Sequence, residues 1–227
     1  GPKKKNRMKR SITIAGVRFR GNSLLLIFFL LLVLCVQTVP GLGDAYAMYV
    51  YPSIARVLSS FSRLVPFAIG DLFIALSIAG VLLYPVYARY IRKQKWNRIL
   101  QKDVKYLLWV YVWFYLAWGL NYSQKNFYER TRIPYTAYTP DNFRSFTDSY
   151  IENLNSSYTD ITSVEKELVC HESVQVYNQI GDSLGVHRPF HQTPRAKTML
   201  FTPLISMVGV TGSMGPFFCE FTLNGDL

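Results

Sequence analysis

Three long apolar blocks in the first 122 residues limit what this chain can fold into more than any motif does. The first is SLLLIFFLLLVLCVQTV, Ser23 to Val39, uncharged, with Gln37 and Thr38 as its clearly polar interruptions. The second, about Leu64 to Tyr87, is broken only by Asp71. The third, VKYLLWVYVWFYLAWGLNY, Val104 to Tyr122, is rich in Trp and Tyr. A helix crossing a bilayer needs about 20 mostly apolar residues, so each block is long enough, or nearly so, to span. The expectation is an α-helical membrane protein with three transmembrane helices, at about 23–39, 64–87 and 104–122. A basic region before an apolar core also has the form of a secretory signal. The long core and the weak small-residue pattern near Ala45 and Ala47 favour an uncleaved anchor. The leading Gly1-Pro2 is set aside as foreign to the fold.

The formal net charge of +11 would ordinarily suggest nucleic acid or an anionic surface, but its distribution points elsewhere. Residues 1–20 carry eight basic side chains and no acid, and Arg89 to Lys105 carries seven against Asp103. From Asn121 onward eight basic residues meet eleven acidic ones. Positive charge therefore collects in two segments on one side of the three blocks, as the positive-inside rule requires of cytoplasmic segments. This predicts a cytoplasmic N-terminus, a cytoplasmic loop at Arg89 to Lys105 and an external segment after Tyr122, in a chain whose partner is the lipid bilayer and not nucleic acid. Asp71, the ionisable residue within an apolar block, lies near one end of it and reads as a hydrogen-bonded structural group rather than an intramembrane functional acid.

After Tyr122 the character is that of a soluble α+β domain. Thr139, Pro140 and Asp141 form a helix start, and Phe143, Phe146, Tyr150, Ile151 and Leu154 recur at spacings of three and four, predicting an amphipathic helix over 141–156. A second helix is predicted over 162–184, with Gly185 ending it. Beyond Lys197 the Gly-punctuated, Phe-, Val- and Thr-rich stretch reads as short strands and turns. The expected organisation is a basic tail (1–22), a three-helix membrane region (23–122) and an extracytoplasmic domain (123–227).

Within the second of these helices, His171 and Glu172 in ELVCHESVQVY look like half of a zinc-protease motif. H-E-x-x-H works because histidines four apart share a helix face and grip one zinc while the glutamate activates its water. Here that fourth place is Gln175, so the pair reads as a polar helix face. His187 and His191 flank Pro189 and read as a turn. Cys170 and Cys219 have no spacing signature, and paired and free thiols both remain open.

The three apolar blocks, WGLNY at Trp118 to Tyr122 and GVTGSMGPFFCEFTLNGDL at Gly209 to Leu227 together resemble a family of uncharacterised bacterial membrane proteins grouped with the zincin-type metallopeptidases. That family carries a segment G-(I/V)-x-G-x-x-x-P-F-x-x-E-x-x-x-N, matched here by Gly209, Gly212, Pro216, Phe217, Glu220 and Asn224, shortly before a helix bearing H-E-x-x-H. The resemblance implies a membrane-anchored zinc metallopeptidase of the bacterial cytoplasmic membrane, a hydrolase acting on a peptide or protein outside the cytoplasm. It implies that the C-terminal domain is zincin-like, that this chain is its N-terminal portion, and that the catalytic and metal-binding residues follow Leu227. On that reading this chain alone holds no zinc and is inactive, ISMVGVT or FFCEFTL is the strand beside which substrate lies, and Glu220, Asn224, Gly209 and Gly212 support the substrate groove. The alternative is a non-catalytic membrane protein whose external domain binds a partner or scaffolds the envelope.

Overall fold

The structure is a computed structural model that describes residues 11–14, 17–160, 165–185 and 195–224, with side chains described from Gly21 onward except that of Lys166. It is mostly helical and divides into two compact units, one formed by the chain up to Gln124 together with the segment from Lys197, the other by 125–196. The segment after Lys197 thus belongs with the apolar helices, whereas composition groups it with everything after Tyr122.

The first unit opens with an antiparallel hairpin of β1 (Ser11–Ile14) and β2 (Val17–Arg20), which leads into α1 (Gly21–Thr38). A short α2 (Leu42–Ala45) and a π-helical turn (Tyr46–Val50) enter α3 (Tyr51–Ser62), whose start is set by Pro52, since proline's fixed φ and missing N–H suit a helix's first turn. Then come α4 (Ile69–Tyr90) and α5 (Trp96–Ala117), followed by a 3₁₀ turn at Gly119–Ser123. Residues 46–63 fall between the first two apolar blocks. Ile54, Val57, Leu58 and Phe61 nevertheless recur at helical spacing, and α3 is the helix they form.

α1 and α4 are long and apolar enough to cross a membrane, and nearly all of their surface is uncovered by protein. A soluble core helix would be enclosed; these present Leu31, Leu34, Leu76, Leu82 and Leu83 outward. α5 is of comparable length, 22 residues, but Arg98, Lys102, Asp103 and Lys105 occupy its first turns, so length and composition do not mark it as a span.

Side-chain pairs fix the helix directions. Lys105 Nζ donates to Ser23 Oγ at 2.8 Å and Phe29 lies edge-on to Trp109, so α1 and α5 run parallel. Ser77 meets the Tyr106 hydroxyl at 2.7 Å and Lys102 Nζ donates to the Tyr84 hydroxyl at 2.7 Å, so α4 runs antiparallel to α5. The start of α1, the end of α4 and the start of α5 therefore share one end of the bundle, and the basic residues from Arg89 to Lys105 stand there. The loop between α4 and α5 spans only 91–95, because α5 already begins at Trp96.

At the opposite end Val33, Tyr46 and Leu120 form a buried cluster, flanked by Tyr51, Ile54 and Leu116. The Tyr46 hydroxyl donates to the Leu116 carbonyl at 2.6 Å, a group left without a helical partner because α5 stops at Ala117. Here α2 meets the 3₁₀ turn so closely that a Cβ on Gly43 would overlap the Ser123 carbonyl.

The second unit contains α6 (Phe127–Thr131), α7 (Pro140–Ser156) and α8 (Lys166–Ile180). α6 starts with a capping box between Asn126 and Glu129, and Thr139 Oγ1 accepts the Asn142 N–H to cap α7. α7 agrees with the predicted helix to within a residue. α8 ends at Ile180, and a turn runs from there to Gly185 at φ 68°. Its predicted start at Thr162 lies outside the described residues.

After Lys197 the chain forms β3 (Lys197–Thr198), α9 (Thr202–Ser206), β4 (Gly212–Gly215) and β5 (Glu220–Leu223). The sheet order is β3-β5-β4, parallel between β3 and β5 and antiparallel between β4 and β5. ISMVGVT is not the expected strand: its first residues close α9, started by Pro203, and a turn follows. FFCEFTL does supply a strand, but a central one with both neighbours in place. Among the described residues β3 and β4 are the two edges of this sheet; Thr198 of β3 is bridged by Phe67, and no strand lies beyond β4.

Candidate functional site

The functional groups of the first unit converge where the sheet meets the start of α4. The residue preceding α4 is Ala68, fully buried and without a side-chain oxygen to receive the helix's first N–H groups. Glu220, the first residue of β5, supplies that oxygen from across the chain. The Ile69 N–H donates to its Oε1 at 3.0 Å and the Gly70 N–H to its Oε2 at 2.7 Å. A carboxylate here also meets the partial positive charge of the helix N-terminus. A side chain on Gly70 would stand 3.1 Å from this carboxylate, so a glycine keeps the approach open.

The same carboxylate accepts from Ser62 Oγ at 2.9 Å and from Lys197 Nζ at 2.6 Å. Lys197 in turn donates to the Ser62 carbonyl at 2.7 Å and, more distantly, to the Phe67 carbonyl at 3.1 Å. Both charged side chains are enclosed, at 2% and 1% exposure. A buried ion pair is stable only where further hydrogen bonds satisfy its remaining donors and acceptors, and here the end of α3, the 63–68 turn and the start of α4 provide them. Burial pushes the Glu220 carboxyl up, but Lys197, the Gly70 and Ile69 N–H groups and the Ser62 hydroxyl more than offset this and hold it below the usual carboxylate range.

Neighbouring residues fasten the sheet to the helices at other points. Phe67 forms a parallel bridge to Thr198, and Asp71 in the first turn of α4 accepts the Leu200 N–H at 3.0 Å. The Pro216–Cys219 turn packs Phe217 against Phe73 and Phe114, and Phe218 against Phe73 and Trp113, while Trp113 Nε1 donates to the Phe217 carbonyl at 3.1 Å. Cys219 sits at φ 51° with its thiol 3.9 Å from the Tyr51 hydroxyl, and burial raises its pKa. Cys170 and Cys219 are both free thiols.

The structure separates the residues singled out by sequence. Glu220 lies in the buried network. The Asn224 N–H donates to the Thr211 carbonyl at 2.8 Å, and its Nδ2 donates to Ser206 Oγ at 2.8 Å and the Val210 carbonyl at 3.1 Å, tying the end of β5 to the loop after α9. Gly209 adopts φ 72° with open space around it, and Gly212 begins β4 opposite Leu223. His171 and Glu172, in the other unit, are 57% and 58% exposed, and Gln175 Nε2 lies 3.4 Å from His171 Nδ1. His187 and His191 lie outside the described residues. Among the described residues no three His, Cys, Asp or Glu side chains are grouped to hold a metal, so those residues do not fit a zinc site and no chemical step is assigned to one.

Lys197 and Ser62 are the participants that sequence reading missed. A single lysine ordinarily reads as solvated surface, and its partners lie 23 and 135 positions away. No local spacing signals such a contact.

No curated protein and no solved structure matches the chain. A profile of the family described as "Protein of unknown function (DUF3810)" matches residues 46–227. The match takes in α3, α4, α5, the second unit and the sheet with its Lys197–Glu220 pair, and the chain belongs to that family.

Proposed function

We propose that this chain is the membrane anchor and strand-presenting wall of a zinc metallopeptidase working on the outer side of the bacterial cytoplasmic membrane. The observation that carries the reading is the open edge of β4, whose Gly212 and Gly215 leave the backbone uncrowded and whose partner β5 is fixed to α4 through Glu220. An extended peptide adds to such an edge as a further strand, its main chain supplying the hydrogen bonds. In this account Glu220 and Lys197 do not touch substrate; they hold the sheet in place. Zinc and the groups that activate water come from residues outside those described.

The anchor has three spans. α5 is the third, its basic first turns reaching into the headgroup region as lysine and arginine do at helix ends. The N-terminus and the Arg89 to Lys105 segment are cytoplasmic, and 123 onward is external. The arrangement that supports this is the gathering of the basic residues at the end shared by the start of α1, the end of α4 and the start of α5.

The experiment is to purify the product of the whole reading frame, quantify zinc by elemental analysis and assay cleavage of an unstructured peptide library. About one tightly held zinc per chain, with cleavage abolished by a chelator and restored by zinc, supports the proposal. A metal-free, inactive product that still binds extended peptides would favour the second reading, an envelope scaffold. That reading draws on Glu220 and Asn224 being engaged in structural hydrogen bonds.

A further inference from the structure

The turn between α4 and α5 carries more order than a topology signal needs. Arg92 Nε donates to the Tyr87 hydroxyl at 3.0 Å, and its guanidinium lies 5.8 Å from that ring's centroid. Lys102 Nζ is held by the Tyr84 hydroxyl at 2.7 Å and Gln94 Oε1 at 2.9 Å, and Arg89 lies 5.9 Å from the centroid of the Trp96 ring. Arg98 and Lys102 are four apart on α5 and share a face. The turn is closed by the Gln94 N–H donating to the Ala88 carbonyl at 2.9 Å, with Lys93 at φ 50°. Among the described residues none of these cations has a carboxylate within ion-pair distance. Orientation by the positive-inside rule depends on the number of charges near a span, not on their being held in place. Cations steadied by aromatic hydroxyls and rings, beside an apolar helix end and lacking a protein counter-ion, fit a phosphate at the depth of a lipid headgroup.

We propose that the α4–α5 turn binds the headgroup of an anionic phospholipid, with Arg92, Arg98 and Lys102 facing its phosphate and Tyr84 and Tyr87 positioning Lys102 and Arg92. The site is independent of any peptidase activity and requires only that α4 lie in a bilayer. Resistance of the expressed chain to carbonate extraction checks that requirement separately.

The test is native mass spectrometry of the full chain in mild detergent, titrated with phosphatidylglycerol or phosphatidylcholine. The expected result is a preference for phosphatidylglycerol of at least about tenfold, lost with Arg92→Gln/Arg98→Gln/Lys102→Gln, each charge contributing about fivefold. Arg56→Gln/Arg63→Gln, on α3 and the residue after it, should bind as the wild type does. Tyr84→Phe/Tyr87→Phe keeps every charge, and hence the topology, yet should weaken binding about fivefold by releasing two ordered cations; it decides the matter if the triple variant fails to insert. Equal affinity for the two lipids, or wild-type binding in both the triple and the tyrosine variants, would overturn the proposal. So would displacement of the lipid by millimolar inorganic phosphate, which would assign the turn to a soluble anion.

Discussion

Lys197 Nζ stands 2.6 Å from Glu220 Oε1 inside the protein, and the carboxylate that receives it also caps the first turn of α4. The pair joins two tasks: it neutralises buried charge and supplies α4 with the cap that Ala68 lacks. Removing one partner leaves the other buried and uncompensated, which typically costs about 3–5 kcal/mol. Lys197→Met and Glu220→Leu should each lower the thermal unfolding temperature of the detergent-purified protein, followed by tryptophan fluorescence. Glu220→Gln, which keeps one acceptor for the helix N–H groups, should lower it less. An unchanged unfolding temperature in all three would show that the pair is not structural.

Acid should loosen the same junction. The folded pKa of Glu220 lies below its unfolded value. Its contribution to stability is therefore complete above the unfolded value, near pH 4.5, and is lost as the pH falls from there through the folded pKa. Hydrogen exchange at the Ile69 and Gly70 amides, compared after correction for intrinsic rates, should lose protection over that interval. In Glu220→Gln this step should disappear, and a step of equal size in the variant would assign the acid response to another group.

Two glycines separate steric from conformational need. Gly43→Ala sets a Cβ into the Ser123 carbonyl and should destabilise the buried cluster around Val33, Tyr46 and Leu120. Gly209→Ala meets no neighbour, and its cost is the left-handed backbone alone, about 1 kcal/mol. Gly209→Asn should cost less still, since asparagine tolerates that region. If Gly209→Ala proved the more damaging for stability, the close approach at Gly43 would not be real.

The orientation has a direct readout in reporter fusions. Alkaline phosphatase fused after Arg98 should be inactive and fused after Asp182 active, because the proposed topology puts the first point on the cytoplasmic side with the basic residues and the second beyond a third crossing by α5. The reverse pattern would invert the topology, and the same result at both points, active or inactive, would remove the third crossing.

Much of the helical framework was legible because apolar length and period are local properties. α1 and α4 follow the first two apolar blocks, and α7 was delimited by Thr139 and Pro140. Other features were not legible, three of them for instructive reasons. α3 was overshadowed by its apolar neighbours although its own spacing is helical. α9 was hidden in an apolar stretch that resembles a strand, where Pro203 was the signal of a helix start. The sheet's placement against α4 was unreadable because it rests on Ser62, Lys197 and Glu220, whose contacts span up to 158 positions. Glu220 was singled out by resemblance, and its partners emerged only when the fold brought them together.

The sheet is fastened to α4 by the coupling of Lys197 with Glu220, and a double-mutant cycle measures that coupling most directly. Lys197→Met, Glu220→Leu and the double variant would be compared by reversible unfolding in detergent. The double variant should be more stable than the sum of the single costs implies, with a coupling energy of about 2–3 kcal/mol, because the second change removes the charge the first left stranded. Costs that add to within about 0.5 kcal/mol would contradict it.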